Sequence, residues 1–391
     1  MGIQLFFYSQ SKHYQMTTHH QDINTEELKY KIASTLIAGV GNMLAKTLVS
    51  YCGSFEAIFK EKKSHLEKIP GVGPVTCKNI LAFKDFDRTE KEITFINKYK
   101  IQAWSYLDKQ YPDKLRQCFD SPVMIYFKGN CDFNLQPCLA FVGTRKATDY
   151  GKQLCEEIIE ALIPYNVNII SGLAYGIDIC AHKQALKCDI TTVGVLAHGI
   201  DKIYPPAHRS VAEKMLHNGG LITEYISETN PDRENFPTRN RIIAGLCNAT
   251  IVIEAGERGG ALITAEIANS YNRDVFAIPG RSTDEYSKGC NRLIKLQKAQ
   301  MVESAADICY QLGWQNDAKA EKEKHKQVKL FIDLTPDEKT IYDFLINNDQ
   351  SGIDNICIAC EMSTSRTAAA LLSLEFSGLV KSMPGKIFKS L

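Results

Sequence analysis

From residue 139 onward, short apolar, β-branched runs alternate with stretches whose apolar positions recur at helical spacing. Residues 139–143, 167–171, 191–197, 221–224, 249–255 and 274–278 read as strands. Residues 150–163, 175–187, 208–218 and 261–271 read as the helices between them. Strands apolar on both faces need a covering layer on each side, and crossover helices supply it. The pattern therefore predicts an α/β fold with a parallel sheet and ligands outside the carboxyl ends of its strands.

The flanks follow other patterns. Residues 1–24 are polar, carry His13, His19 and His20 and show no periodicity, so a disordered N-terminus is expected. Residues 25–92 open with a helical pattern (Leu28, Ile32, Leu36) and hold two glycine turns, Gly39-Val40-Gly41 and Gly71-Val72-Gly73. Both resemble helix-hairpin-helix turns, and the segment reads as a helix-hairpin-helix (SAM-like) domain. In such a turn the N–H groups opening the next helix can meet a DNA phosphate, which makes Gly71, Gly73 and Lys78 candidates for a secondary DNA contact. Packing alone is the alternative use of the pair. Residues 93–314 hold the sheet, and residues 315–333, short of apolar positions and dense in alternating charge, read as a linker. Residues 334–391 read as three helices and a small hairpin turning at Pro384-Gly385, a winged-helix pattern.

Composition narrows the function classes. Lys plus Arg (46) nearly balances Asp plus Glu (45), so a nucleic-acid partner would have to be met by clustered basic groups. No apolar run reaches the length of a membrane span, no convincing signal peptide opens the chain, and a cytoplasmic location is expected. Thirteen cysteines without an export signal favour reduced thiols. Cys357 and Cys360 form the only close pair; with no second pair or nearby histidines, no metal site is expected. From Thr335 to Leu391 five basic residues face seven acidic ones, 5 − 7 = −2, and the third helix offers only Arg366. A duplex reader needs several phosphate contacts, so this module is expected to bind protein or set dimer geometry.

Four glycine-bearing loops fall at strand exits: Gly143-Thr144-Arg145-Lys146, Ser171-Gly172-Leu173-Ala174-Tyr175-Gly176, Ala197-His198-Gly199 and Arg258-Gly259-Gly260. Strand, glycine turn and helix N-terminus together present N–H groups and a positive dipole end, which suits an anion. Arg145 should project over the sheet edge toward a phosphate. Arg239 and Arg241 are two apart, so on a helix they diverge; one would face the site, and the other, or Asn240, would hold structure. Phe236 is either a platform for a base or a core plug before Pro237. Asp178 and His182 are read as orienting the loop and bonding locally rather than as metal ligands. The candidate set is Gly143, Thr144, Arg145, Lys146, Gly172, Gly176, Phe236, Arg239, Asn240, Arg241, Gly259 and Gly260.

The ordered motifs Phe141-Val142-Gly143-Thr144-Arg145-Lys146-Ala147, Ser171-Gly172-Leu173-Ala174-Tyr175-Gly176-Ile177-Asp178, Ala181-His182, Tyr204-Pro205, the run from Phe236 to Leu246 and Gly260-Ala261-Leu262-Ile263-Thr264-Ala265 closely resemble the DNA-processing protein A family (DprA, also called Smf). The resemblance is strong over about residues 100–313. It implies an extended Rossmann-like parallel sheet, flanked by an N-terminal helix-hairpin-helix (SAM-like) domain and a C-terminal winged-helix domain. It further implies a homodimer that binds single-stranded DNA without strong sequence preference and hands it to the RecA recombinase in natural transformation, with no cofactor and no catalytic residues. The family's anion pocket maps onto Gly143, Arg145, Phe236, Arg239 and Arg241. Gly259 and Cys247 stand where the family more often has serine, and Lys298-Ala299 replaces Gly-Ala. The rival class is a nucleotide-processing, phosphoribohydrolase-like enzyme using Glu254 or Glu224 as acid or base. A third possibility makes the DNA duplex the target, read by the hairpins and the wing.

Overall fold

The computed structural model describes residues 25–314, 334–348, 350–383 and 385–390; the expected disordered terminus (1–24) and linker (315–333) lie outside the described residues, as does Pro384 of the expected hairpin turn. The chain divides after Trp314 into two compact units.

The first unit is built on nine strands: β1 (Gln102–Ser105), β2 (Met124–Asn130), β3 (Cys138–Val142), β4 (Asn168–Ser171), β5 (Thr192–Val195), β6 (Gly219–Thr223), β7 (Ala249–Val252), β8 (Asp274–Ala277) and β9 (Gln300–Met301). Their order is β1-β2-β6-β5-β4-β3-β7-β8-β9. From β6 to β9 all pairs are parallel, with Ala140 opposite Thr250 and Ile170 opposite Val193. Two antiparallel strands, β2 and β1, extend the β6 side. Every residue of β3, β4, β5 and β7 is buried, as strands sandwiched between helices demand. The chain runs outward from β3 to β4, β5 and β6, then returns to the other side of β3 with β7. The β3/β7 junction is thus the topological switch point, where a crevice opens beyond the carboxyl ends.

The N-terminal helices pack onto this unit. The domain boundary expected between residues 92 and 93 falls inside one helix, Phe86–Tyr99. That helix is tied to the sheet domain by its own side chains: the buried Glu92 carboxylate accepts from the Ser227 N–H, and Arg88 donates to the Ser227 carbonyl. The two glycine turns have different neighbours. Asn42, opening the helix Asn42–Cys52 after the first turn, accepts from Val123 N–H at 2.8 Å and donates to Glu224 at 3.3 Å. The second turn leads through Gly73 and Pro74 into the helix Pro74–Ala82, where Lys78 is exposed. Asn79 of that helix donates to the Ala38 carbonyl, joining the two turns.

The second unit has helices Pro336–Asn348, Ile353–Ala359 and Thr364–Phe376 and a small antiparallel sheet, β10 (Gln350–Gly352), β12 (Ile387–Ser390) and β11 (Val380–Met383) in that order. Ile341, Leu345, Ile356, Leu371, Leu374 and Val380 form its core. This is the expected winged helix, with β10 as an addition that its three polar or small residues did not announce. All thirteen cysteines are free thiols. Among the described residues no helix is long and apolar enough to cross a membrane.

Candidate nucleic-acid interface

At the switch point the loop after β3 and the loop after β7 touch. Thr144 N–H donates to the Glu254 carbonyl at 2.7 Å, and Glu254, itself buried, turns its carboxylate onto Thr148, accepting from both its N–H and its hydroxyl. Thr148 in turn caps the helix Asp149–Ala161. The β3 loop is also locked to the β4 loop. Gly176 has φ +80°, and a Cβ there would press on the Thr144 carbonyl and lie 2.8 Å from Arg145 Cα. At Gly143 a Cβ would collide with Ile177. These glycines let two loops and a helix start approach closely, and the Gly143-Thr144-Arg145-Lys146 turn is held as a result.

Arg145 and Lys146 stand exposed on that turn. Among the described residues Arg145 makes no hydrogen bond or ion pair; its guanidinium lies 6.0 Å from the centroid of the half-buried Phe236 ring. Arg239 comes to 5.9 Å of the same ring. Phe236 is thus near one exposed and one buried cation, with Tyr204 tilted against it at 5.9 Å. The helix Gly260–Ser270 begins at Gly259 and Gly260, both exposed, and no side chain caps it. Its first N–H groups and positive dipole end face outward.

The Phe236–Leu246 run places its two arginines inward. Arg239 is 4% exposed; its guanidinium donates to the carbonyls of Gly172 and Val195, its Nε to the Asn240 side chain, and it stands against Asp178. Burial pulls its pKa down to about 10, while Asp178 opposes the shift. Asp178 is pushed up by burial and drawn back by Arg239. Arg241 pairs with Glu224 and donates to the Asp120 carbonyl. The two arginines diverge on the helix, but where one was expected to face the site both are buried and hydrogen-bonded to protein acceptors. Asn240 Nδ2 donates to the Gly260 carbonyl at 3.3 Å, so it anchors the glycine turn. Gly172 is a second correction. Its N–H is taken by Asp178 at 3.1 Å, leaving nothing to offer an anion.

Asp178 therefore orients the β4 loop as expected, and His182 bonds locally through Nδ1 to Thr192 Oγ1 at 2.7 Å. Burial lowers the His182 pKa to about 3, so the ring is neutral. The two carboxylates of the enzyme alternative are both engaged: Glu254 by Thr148, and Glu224 by Arg241 and Asn42. Lys298, the added positive charge, pairs with Glu266 at 2.7 Å. Tyr175 and Tyr204, both within the sequence motifs, are 51% and 47% exposed.

The chain is similar to known proteins over most of its length. Residues 102–313 match the model of the family described as DNA recombination-mediator protein A, and residues 332–386 match the DprA winged helix domain. The chain is 31% identical to Protein Smf of Synechocystis over 92% of this chain and 98% of that one, and 41% identical to DNA processing protein DprA of Streptococcus pneumoniae over 54% and 73%. Among solved structures, the Streptococcus pneumoniae DNA processing protein A superposes with a TM-score of 0.63 at 34% identity, covering 72% of this chain and 97% of that one. A Helicobacter pylori DNA processing protein A, described for its single-stranded DNA binding mode, superposes at 0.50 with 26% identity over 55% and 95%. With the family's domains matched in order and the switch-point loops built from its motifs, the chain belongs to the DNA recombination-mediator protein A (DprA/Smf) family.

Proposed function

We propose that this protein binds single-stranded DNA along the carboxyl edge of the parallel sheet, without catalysing a reaction on it. Phosphates are met by Arg145 and Lys146 and by the uncapped helix start at Gly259-Gly260, and a base stacks on Phe236. The observation that carries this is Arg145: an exposed guanidinium on a loop fixed by close glycine contacts, without an anion among the described residues, beside an aromatic ring. Arg239 and Arg241 act beneath the surface, Arg239 holding the β4 and β5 exits through the Gly172 and Val195 carbonyls and Arg241 pairing with Glu224. The second hairpin, Gly71, Gly73 and exposed Lys78, adds a secondary phosphate contact, whereas the first is engaged in packing through Asn42. The Helicobacter pylori relative's single-stranded DNA binding supports the same ligand here. In this role the protein works in the cytoplasm as a homodimer, protects incoming DNA and hands it to RecA during natural transformation or recombination, as the family resemblance implies.

Fluorescence anisotropy of labelled oligo-dT and a matched duplex, at two salt concentrations, tests this. Single strand should bind better. Arg145→Ala should weaken it and flatten the salt dependence by roughly 0.7 in logarithmic slope for one lost phosphate contact. If neither DNA binds, or Arg145→Ala leaves affinity and slope unchanged, the assignment is wrong.

A further inference from the structure

Two tyrosines beside the candidate site are exposed yet held in place. Tyr175 is 51% exposed and Tyr204 47% exposed, and among the described residues neither hydroxyl is hydrogen-bonded. The Tyr204 ring meets Phe236 at 5.9 Å with the planes at 55°. The Tyr175 ring meets His208 edge-on at 4.7 Å and 68°. His208 is buried, and its Nδ1–H donates to the Leu173 carbonyl at 2.7 Å. The short loop from Tyr204 to His208 therefore sets one ring against Phe236 at its first residue and supports the other at its last. Tyr175 also directly precedes Gly176, whose backbone is packed on that of Arg145. A tyrosine kept for the core would bury its ring or bond its hydroxyl. These two instead leave about half of their surface to solvent in fixed orientations.

We infer that Tyr175 and Tyr204 extend Phe236 into a set of base-stacking platforms around Arg145, so that the site takes the unpaired bases of a single strand as well as its phosphates. This rests on the single-stranded DNA binding proposed above and adds the physical origin of its strand preference. In a duplex the base faces are already stacked on one another and cannot reach protein rings, whereas a single strand can splay them. Rings braced in advance by Phe236 and His208 lose little freedom on binding, which favours affinity.

Base removal separates stacking from phosphate capture. Oligo-dT and an abasic oligonucleotide of equal length and charge would be titrated by anisotropy against wild type, Tyr175→Ala, Tyr175→Phe, Tyr204→Phe, Tyr204→Ala and Arg145→Ala. Each alanine variant at a tyrosine should bind oligo-dT about 5-fold more weakly or worse, from the range measured for base–aromatic stacks. The same variants should bind the abasic strand like wild type, and the phenylalanine variants should retain oligo-dT affinity. Arg145→Ala should weaken both strands. Equal losses on both strands for Tyr175→Ala and Tyr204→Ala, or no loss on either, overturns the stacking role. Wild type that grips the abasic strand as tightly as oligo-dT overturns it too while leaving single-strand binding standing; wild type that binds neither strand overturns the proposed function itself. Unfolding midpoints matched to wild type guard against misfolding, since both tyrosines lie at the surface.

Discussion

Replacing Arg241 with methionine separates a buried structural arginine from a phosphate ligand. Its side chain is 8% exposed and that of its partner Glu224 is 10% exposed, so the pair sits near the buried limit rather than the screened surface one. Removing the guanidinium strands a buried carboxylate, one of whose oxygens already lacks a hydrogen-bond partner, and takes a donor from the Asp120 carbonyl. Breaking such a pair costs about 3–5 kcal/mol. Burial pushes the Glu224 carboxyl above its ordinary value of 4.5, while Arg241 and Asn42 pull it back. Without Arg241 the upward push grows. A carboxyl whose folded pKa exceeds its unfolded one binds its proton more tightly when folded, so its stabilising contribution is complete below the unfolded value and lost as pH rises through the folded one. The variant's deficit should therefore be largest near pH 8 and shrink toward about pH 5. Urea unfolding read by tryptophan fluorescence reports this unit alone, because both tryptophans, Trp104 and Trp314, lie in it. Adding Glu224→Gln should recover more than half of the loss by removing the stranded charge. A deficit below about 1 kcal/mol at pH 8, accompanied by a fall in oligo-dT affinity as large as that of Arg145→Ala, would refute this account and return Arg241 to the DNA.

Two further outcomes follow from the same contacts. Deleting residues 334–391 should leave oligo-dT affinity within about 2-fold of the full chain, because Arg366, the only cation of the third helix, is held by Asp337 in a bidentate pair at 2.6–3.0 Å; a loss above 10-fold in anisotropy would show that the winged helix grips DNA. Gly176→Ala must strain a +80° backbone and push on the Thr144 carbonyl, so it should displace the Arg145 loop and weaken oligo-dT binding while the winged-helix unit, a separate compact unit, unfolds as in wild type; unchanged affinity would show that the loop–loop lock is dispensable.

Strand and helix positions were largely legible in the sequence because periodicity reports which faces a segment buries. The run 249–255 was read as a doubly buried strand, and β7 occupies its first four residues, all buried. Helix ends and domain limits were less legible: nothing local in Phe86–Tyr99 reveals that Glu92 reaches Ser227, more than a hundred residues away. Periodicity could not foresee β10, whose Gln350, Ser351 and Gly352 become a strand only by pairing with β12.

For the site, the sequence by itself determined that glycine-bearing loops would gather at one sheet edge and that Arg145 would stand on one of them, since strand order and chain direction alone bring those exits together. Which arginines face outward was decided only by the tertiary structure. Arg145, Arg239 and Arg241 carry the same charge, and their fates differ because Gly172, Val195 and Asp178 close around one, Glu224 and Asp120 around another, and no described anion around the third. The role of an arginine is set by the acceptors that folding brings to it from distant parts of the chain, and no spacing rule encodes their positions.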